Sequence, residues 1–599
     1  MTKKQKIFRK DPRFVGVILF VALIMVTFSA TLVLSEPLVF PTLQKVKWNG
    51  SYSADKTFAV NAEGSVPVST INEYRNFLKQ WGFAEAENGI VFNIKMIDAD
   101  ECMKVYKKPY QRKIFQEYSE YQTYFLDVAD GSVTVKACGI DGFFYGLMTF
   151  KQIYEDKGEQ VLVNKAEIVD YPAYPVRGLF EGAYGVWDLE GRLDVLDWMG
   201  EVKLNSFLYG PKGDPMIRRR WRRLYDDTEM FNFKRMIEKA RVNHINFGYV
   251  IAPTFDMEYS SEEDFNTLKK KCRQMQSLGV KYFLIAFDDT MGMVHHESDR
   301  KKFSDLGAAE AYIANKLFKE LKAYDSDVLM AFCPEIYSGV WPMDYTNSLV
   351  EKLDPEIYIG WTGTEIVAPK VESGDVKKFT EFYKRSPSFG DNWGTLYPLV
   401  ARGTDMYGYM TQFMMNPYNL FGELPGSTIQ GASEPELMPI EGAGLAQLSW
   451  NSDVYDSEQT LDMMAKIYFE EEAKSVFKAL VYKDYYDFNS YADIKTEFKP
   501  PIEKEIIEAG TDAAALKAYV SKTVTGLKEI LEKGPGMMID KSVEPKMGLA
   551  FSKRISSSRE YYEDLIKLLG DLDVAVDKGD EKEISIAVEK YLKVLRRKS

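Results

Sequence analysis

Two aspartates, Asp288 and Asp289, stand side by side where the apolar run Tyr282-Phe283-Leu284-Ile285-Ala286-Phe287 ends. That run reads as a buried strand, and carboxylates at its exit are costly unless something uses them. Neighbouring carboxyl groups in one cleft repel each other, which raises one pKa and yields an acid and a base from a single residue type. The same dipeptide also serves as an ordinary loop or helix cap, so its surroundings decide. Other polar residues fall at the ends of apolar runs as well: Glu181 and Tyr184, Lys212 and Asp214, Tyr337, Asn392 and Asn451. Each singly fits a turn, a cap or a core position; together they suit a polar pocket of sugar size.

Composition narrows the chemistry. The chain has 599 residues, 45% of them hydrophobic and 28% charged, which describes a globular protein. A net charge of −13 argues against wrapping nucleic acid. Only three histidines are present, His244, His295 and His296, so acid–base work falls to carboxylates and tyrosines. No CxxC or Cys/His cluster suggests zinc, and no cofactor or metal is expected. The four cysteines are too scattered for a disulfide scaffold, with Cys102 and Cys138 the only pairing worth testing. Cys272 lies on the helical stripe Phe265, Leu268, Cys272, Met275, Leu278 and reads as a buried free thiol.

The elements that must position these residues follow from periodicity. Candidate strands are Val176–Tyr184, Asn205–Pro211, Ile245–Pro253, Tyr282–Asp289, Val328–Tyr337, Ile357–Gly363, Ser388–Trp393 and Leu445–Asn451. Helical stripes such as Leu189, Leu193, Leu196, Met199 separate most of them, which predicts an α/β fold with a (β/α)8 TIM barrel. In such a barrel the strand C-termini form the active-site face. A small α/β domain precedes it, with a hairpin at Asp130-Gly131, and Tyr171-Pro172-Ala173-Tyr174-Pro175 reads as a linker. After Asp456 an α-helical bundle follows, punctuated by Pro500-Pro501 and Gly534-Pro535-Gly536. The expected division is 1–36, 37–172, 173–456 and 457–599.

At the N-terminus, Lys3, Lys4, Lys6, Arg9, Lys10 and Arg13 precede the uncharged stretch Val15–Leu34. Its length, roughly 20 residues, is near that of a bilayer span. The pattern predicts a signal-anchor with the basic end inside and the body after Glu36 extracytoplasmic; cleavage and secretion is the alternative.

Several motifs carry a family resemblance. Arg177-Gly178-Leu179-Phe180-Glu181-Gly182-Ala183-Tyr184-Gly185, Tyr209-Gly210-Pro211-Lys212-Gly213-Asp214-Pro215, Trp221-Arg222, Ile251-Ala252-Pro253 and Phe287-Asp288-Asp289 occur in this order. With that spacing the chain resembles glycoside hydrolase family 84, which includes O-GlcNAcases, bacterial β-N-acetylglucosaminidases and some hyaluronidases. The resemblance implies a retaining, substrate-assisted mechanism in which the sugar's 2-acetamido oxygen forms an oxazoline. By motif match, Asp288 would orient the acetamido group, and Asp289 would protonate the leaving oxygen and then activate water. Gly182, Lys212, Tyr337, Asn392 and Asn416 would contact the sugar. Tyr397 stands where the family carries an aspartate that grips the 4- and 6-hydroxyls, Ala183 replaces a usual Phe and Gly213 a usual Asp. Losing an acceptor-only carboxylate at Tyr397 weakens selection for those hydroxyls, and Asp405 lies in the same loop. The implied partners are N-acetylglucosamine-containing glycans or glycoproteins. The competing reading is a membrane-tethered glycan-binding or adhesion protein on a catalytically weak barrel.

Overall fold

The computed structural model describes residues 36–106, 122–182, 187–253, 256–288, 292–366, 368, 371–392, 412–415, 435–491 and 499–596, with backbone alone at 412–415 and 484–491. The first sheet is built from β1 (Lys45–Asp55), β2 (Thr57–Glu63), β3 (Ala84–Glu85), β4 (Ile90–Met96), β5 (Tyr124–Ala129), β6 (Ser132–Ala137), β7 (Tyr154–Asp156) and β8 (Gln160–Asp170). Its strand order is β1-β8-β5-β6-β4-β2-β3, with β7 paired to β8. The expected hairpin joins β5 to β6, pairing Ala129 with Ser132. Gly131 supplies the positive φ of 71° that the tight turn demands.

Helix Ile140–Ile153 is buried along nearly its whole length, from Gly142 to Phe150. It lies so close to the sheet that a Cβ on Gly142 would come within 2.5 Å of the Thr123 carbonyl oxygen. Glycine is what permits that approach.

The second body is a closed parallel barrel. Its strands are β9 (Val176–Glu181), β10 (Ser206–Tyr209), β11 (Asn246–Ile251), β12 (Tyr282–Ala286), β13 (Leu329–Cys333), β14 (Tyr358–Trp361), β15 (Pro387–Asp391) and β16 (Gln412–Met415). They pair in chain order, and β16 closes on β9 through Gln412 and Val176. Seven of the eight expected strands are present. The eighth expectation fails: Leu445–Asn451 is not a strand but part of helix Ala443–Trp450. Every residue of that helix is buried, so it shows no polar face and its apolar run mimics a core strand. Closure falls instead to the short Gln412–Met415.

That helix ties the barrel to the first sheet. Its last residue, Trp450, is wholly buried in the core of the N-terminal sheet and donates its indole N–H to Asp170 at 3.0 Å. Asp170 also accepts from Tyr124 Oη at 2.6 Å, from Lys203 Nζ at 3.0 Å and from the Gln44 backbone N–H at 2.9 Å. Beside it, the buried Arg177 guanidinium donates to the carbonyls of Tyr174 and Lys203 and to Gln122. The expected linker at 171–175 is therefore no loose tether. Pro172, Tyr174 and Pro175 are buried, and the N–H groups of Ala173 and Tyr174 bond the carbonyls of Trp450 and Ser449.

The C-terminal region is helical: Pro501–Ala509, Ala513–Asp540, Pro545–Ser557, Arg559–Lys578 and Glu581–Leu595. Its buried residues share one core cluster with the barrel. Pro501 sits in the first turn of its helix, where its missing N–H costs nothing. Gly534-Pro535-Gly536 does not end a helix, because Ala513–Asp540 runs through it. Pro535 leaves the Leu531 carbonyl without its helical donor, and Arg559 donates to that oxygen at 3.3 Å. Cys272 is a buried free thiol, while Cys102 and Cys138 meet as hydrogen-bonded thiols. Among the described residues no helix is long and apolar enough to cross a membrane; the stretch Val15–Leu34 lies outside them.

Candidate active site

A cavity of 290 Å³ opens at the C-terminal end of the barrel. Gly182, Lys212, Asp288, Tyr337 and Asn392 all line it. They follow β9, β10, β12, β13 and β15, so five separate strands deliver one residue each to the same rim. Leu208, Val250 and Leu284, pointing inward from the strands, form an apolar floor. The cavity suits one sugar ring with its substituents, at the small end of ligand pockets. Asp289, Tyr397 and Asn416, with Tyr184, Ala183 and Asp405, lie outside the described residues.

Asp288 sits in a turn just beyond β12, after Phe287, whose N–H bonds the Cys333 carbonyl at 2.9 Å. Its Oδ2 accepts from Arg218 Nη2 at 2.5 Å, and Lys212 Nζ approaches the same oxygen at 3.9 Å. The three side chains are only 12–20% exposed, so water screens their attraction poorly. Arg218 was not among the residues read from sequence. It belongs to the Arg218-Arg219-Arg220 run, which looks like a solvated basic patch, and its two neighbours are indeed exposed. The available signal was its spacing to Trp221, one helical turn away and fully buried. The Ala252 N–H bonds the Ile217 carbonyl at 3.0 Å and the Trp221 indole bonds Asp256 at 2.8 Å, which ties this segment to the strand beside it.

The loop bearing Tyr337 is pinned on both sides. The Tyr337 carbonyl accepts from the Thr362 N–H at 2.9 Å, and the Trp361 indole reaches the Gly339 carbonyl at 3.0 Å. Upstream, Tyr345 Oη accepts from the Glu335 N–H at 2.8 Å and donates to Glu310 at 2.6 Å. Glu310 is fully buried, and burial pushes its carboxyl well above the usual range, with the Glu335 and Asp288 charges adding to the effect. Burial likewise raises the Cys333 thiol, which disfavours the thiolate. Asn392 Nδ2 donates to the Ile366 carbonyl at 3.0 Å.

Three residues expected at the rim do other work. Glu181 faces Arg192 in a buried two-pronged pair at 2.8 Å on both arms, and burial raises its carboxyl despite that cation. Asp214 accepts from Tyr209 Oη at 2.9 Å and Tyr225 Oη at 3.0 Å, holding the loop that carries Lys212. Asn451, following a helix rather than a strand, donates to the carbonyls of Thr42 and Leu43 and braces the domain junction.

A closed parallel barrel that gathers a carboxylate, two cations, a phenol and an amide at its strand ends defines the class: a (β/α)8 barrel with its site on the C-terminal face. The sequence pattern of β-N-acetylglucosaminidase matches residues 177–482, and the chain belongs to that family. Residues 36–171 match domain 2 of glycosyl hydrolase family 20. Protein O-GlcNAcase of Rattus norvegicus is 29% identical over 259 residues, as is that of Mus musculus. The match takes in 40% of this chain but only 28% of either relative's own length. Among solved structures, CpGH84B superposes with a TM-score of 0.71 at 22% identity, covering 93% of this chain and 96% of that one. The Thermobaculum terrenum O-GlcNAc hydrolase superposes at 0.57 and 21% identity, covering 70% and 88%. These two likenesses concern the fold.

Proposed function

We propose that the protein is a retaining β-N-acetylglucosaminidase that releases terminal or protein-linked β-N-acetylglucosamine. The observation that carries this reading is the meeting of Asp288, Lys212, Tyr337, Asn392 and Gly182 around one sugar-sized cavity in a chain of this family. The 2-acetamido oxygen attacks C1 and forms an oxazoline as the bond from C1 to the leaving oxygen breaks. Asp289 gives its proton to that oxygen. Asp288 accepts the acetamido N–H, which makes the carbonyl oxygen a better nucleophile. Arg218 supports this role by fixing one oxygen of Asp288 at 2.5 Å. Among the described residues the other oxygen, Oδ1, has no partner, so it is open to the substrate. Water, deprotonated by Asp289, then opens the oxazoline and restores the β configuration.

The basic cluster and apolar stretch before Glu36 support an extracytoplasmic body held to the membrane at its N-terminus. Glycans or glycoproteins outside the cytoplasm are then the substrates. Purified protein is expected to hydrolyse an aryl β-N-acetylglucosaminide and to be inhibited by an oxazoline-mimicking thiazoline. Absence of turnover across a panel of 2-acetamido glycosides overturns the reading.

A further inference from the structure

A second hollow lies at the opposite end of the barrel from Asp288. A half-open cleft of 770 Å³ separates helix Val68–Gln80 of the N-terminal domain from the first residues of the barrel strands. It is more than twice as large as the 290 Å³ cavity at the mouth.

Three features define what the cleft would hold. First, Asn72, Asn76 and Gln80 recur every fourth residue, so one face of the helix presents a row of amides to it. On the facing wall, Ser206 is 1% exposed and its Oγ is buried without a hydrogen-bond partner. A buried hydroxyl left unsatisfied is uncommon and asks for a partner that the protein does not supply.

Second, the charged groups of the walls are paired with protein. His244 is clamped between Asp141 at 2.7 Å and Glu73 at 2.8 Å, and Arg241 bonds Glu238 at 2.7 Å. With His244 protonated, the two carboxylates and two cations that line the walls cancel. Third, large apolar side chains frame the opening: Ile140, Val242 and Leu329 are each at least 40% exposed.

Amide side chains carry a donor and an acceptor side by side and match vicinal hydroxyls, while apolar side chains cover the C–H face of a pyranose. From the amide row, the orphaned Ser206 hydroxyl and the self-neutralised charges, we propose that this cleft is a second carbohydrate site for a neutral glycan. By volume it takes about two to three rings. A chain or surface bearing several glycans would then be held by one end of the barrel while the other works, which raises its effective concentration. The inference uses no residue of the mouth and does not rest on the activity proposed above.

Calorimetry on the full chain tests it, using neutral tetrasaccharides of glucose, mannose, galactose or N-acetylglucosamine, with the mouth blocked by a thiazoline. One saccharide is expected to bind at one site per chain. The paired substitution Asn76→Ala and Gln80→Ala, both on exposed positions that tolerate alanine, should weaken it about tenfold or more. Hydrolysis of a small aryl glycoside should stay unchanged in that variant. The proposal is overturned if no tetrasaccharide binds once the mouth is blocked. It is equally overturned if binding ignores the paired substitution, or if a neutral peptide of similar size binds and the saccharides do not. Failure of aryl glycoside turnover in the unaltered chain, by contrast, speaks only to the mouth.

Discussion

Two lysine–aspartate pairs in this molecule have opposite designs. Lys203 and Asp170, at the junction of the two sheets, are 3.0 Å apart with both side chains fully buried. Asp170 accepts from a phenol, an indole, an ammonium and a backbone N–H, so none of its capacity is left over. Lys212 and Asp288, at the barrel mouth, stand 3.9 Å apart and remain partly exposed. Arg218 holds one oxygen of Asp288, and the other is open among the described residues. A saturated pair stabilises a structure; an unsaturated one leaves valence for a ligand. Removing one partner should therefore damage the fold in the first case and the chemistry in the second.

Asp288→Ala should lower turnover of an aryl β-N-acetylglucosaminide by about 10²–10³-fold, the range for a lost transition-state hydrogen bond, and change the melting temperature little. Asp170→Ala should do the reverse. Stranding a buried lysine costs about 3–5 kcal/mol, read from the urea midpoint, while the folded fraction keeps its specific activity. Equal loss of activity and stability in either variant would erase the contrast. Arg218→Met should cut kcat/KM about tenfold by freeing the Asp288 carboxylate to rotate, with Arg218→Lys recovering part of it because a charge returns without the fork.

The smallest effect concerns His244, which joins helix Val68–Gln80 and helix Ile140–Ile153 to the barrel. Burial pulls its pKa down, yet the Asp141 and Glu73 carboxylates overcome this and raise it from 6.5 to about 9. Phe144 stacks on the ring at 4.4 Å. With the folded pKa raised, the contribution is full below pH 6.5 and is lost as pH rises through about 9. The stability gap between the native protein and His244→Gln should accordingly shrink across that window, as followed by thermal melts. A gap independent of pH would show that the pairing is sterically rather than electrostatically useful.

How much of this was legible beforehand depends on which force set each element. The hairpin at Asp130-Gly131 and the stripe around Cys272 were readable because local turn chemistry and periodicity determine them. Seven barrel strands were readable for the same reason. The eighth was not, since Ala443–Trp450 is enclosed on all sides and enclosure erases the polar face that distinguishes a helix. At the site, Asp288, Lys212, Tyr337 and Asn392 were visible as polar residues out of place at strand ends, and the family resemblance supplied their roles, whereas Gly182 was assigned by resemblance alone. Glu181 and Asp214 looked alike in sequence but turn toward Arg192 and toward two tyrosines, a choice set by packing between distant segments. Arg218 escaped because three consecutive arginines resemble a solvated patch until the turn selects one.

The placement of Trp450 has a consequence for biogenesis. The N-terminal domain is synthesised first, yet it closes its interior with an indole donated from 280 positions downstream of Asp170. As the chain leaves the ribosome, that compartment stays unsealed until almost the entire barrel has been translated. Maturation of the first-made part is thereby timed by the arrival of the last turn of a helix beyond the final strand, and expressing the early segment alone would yield an incomplete interior.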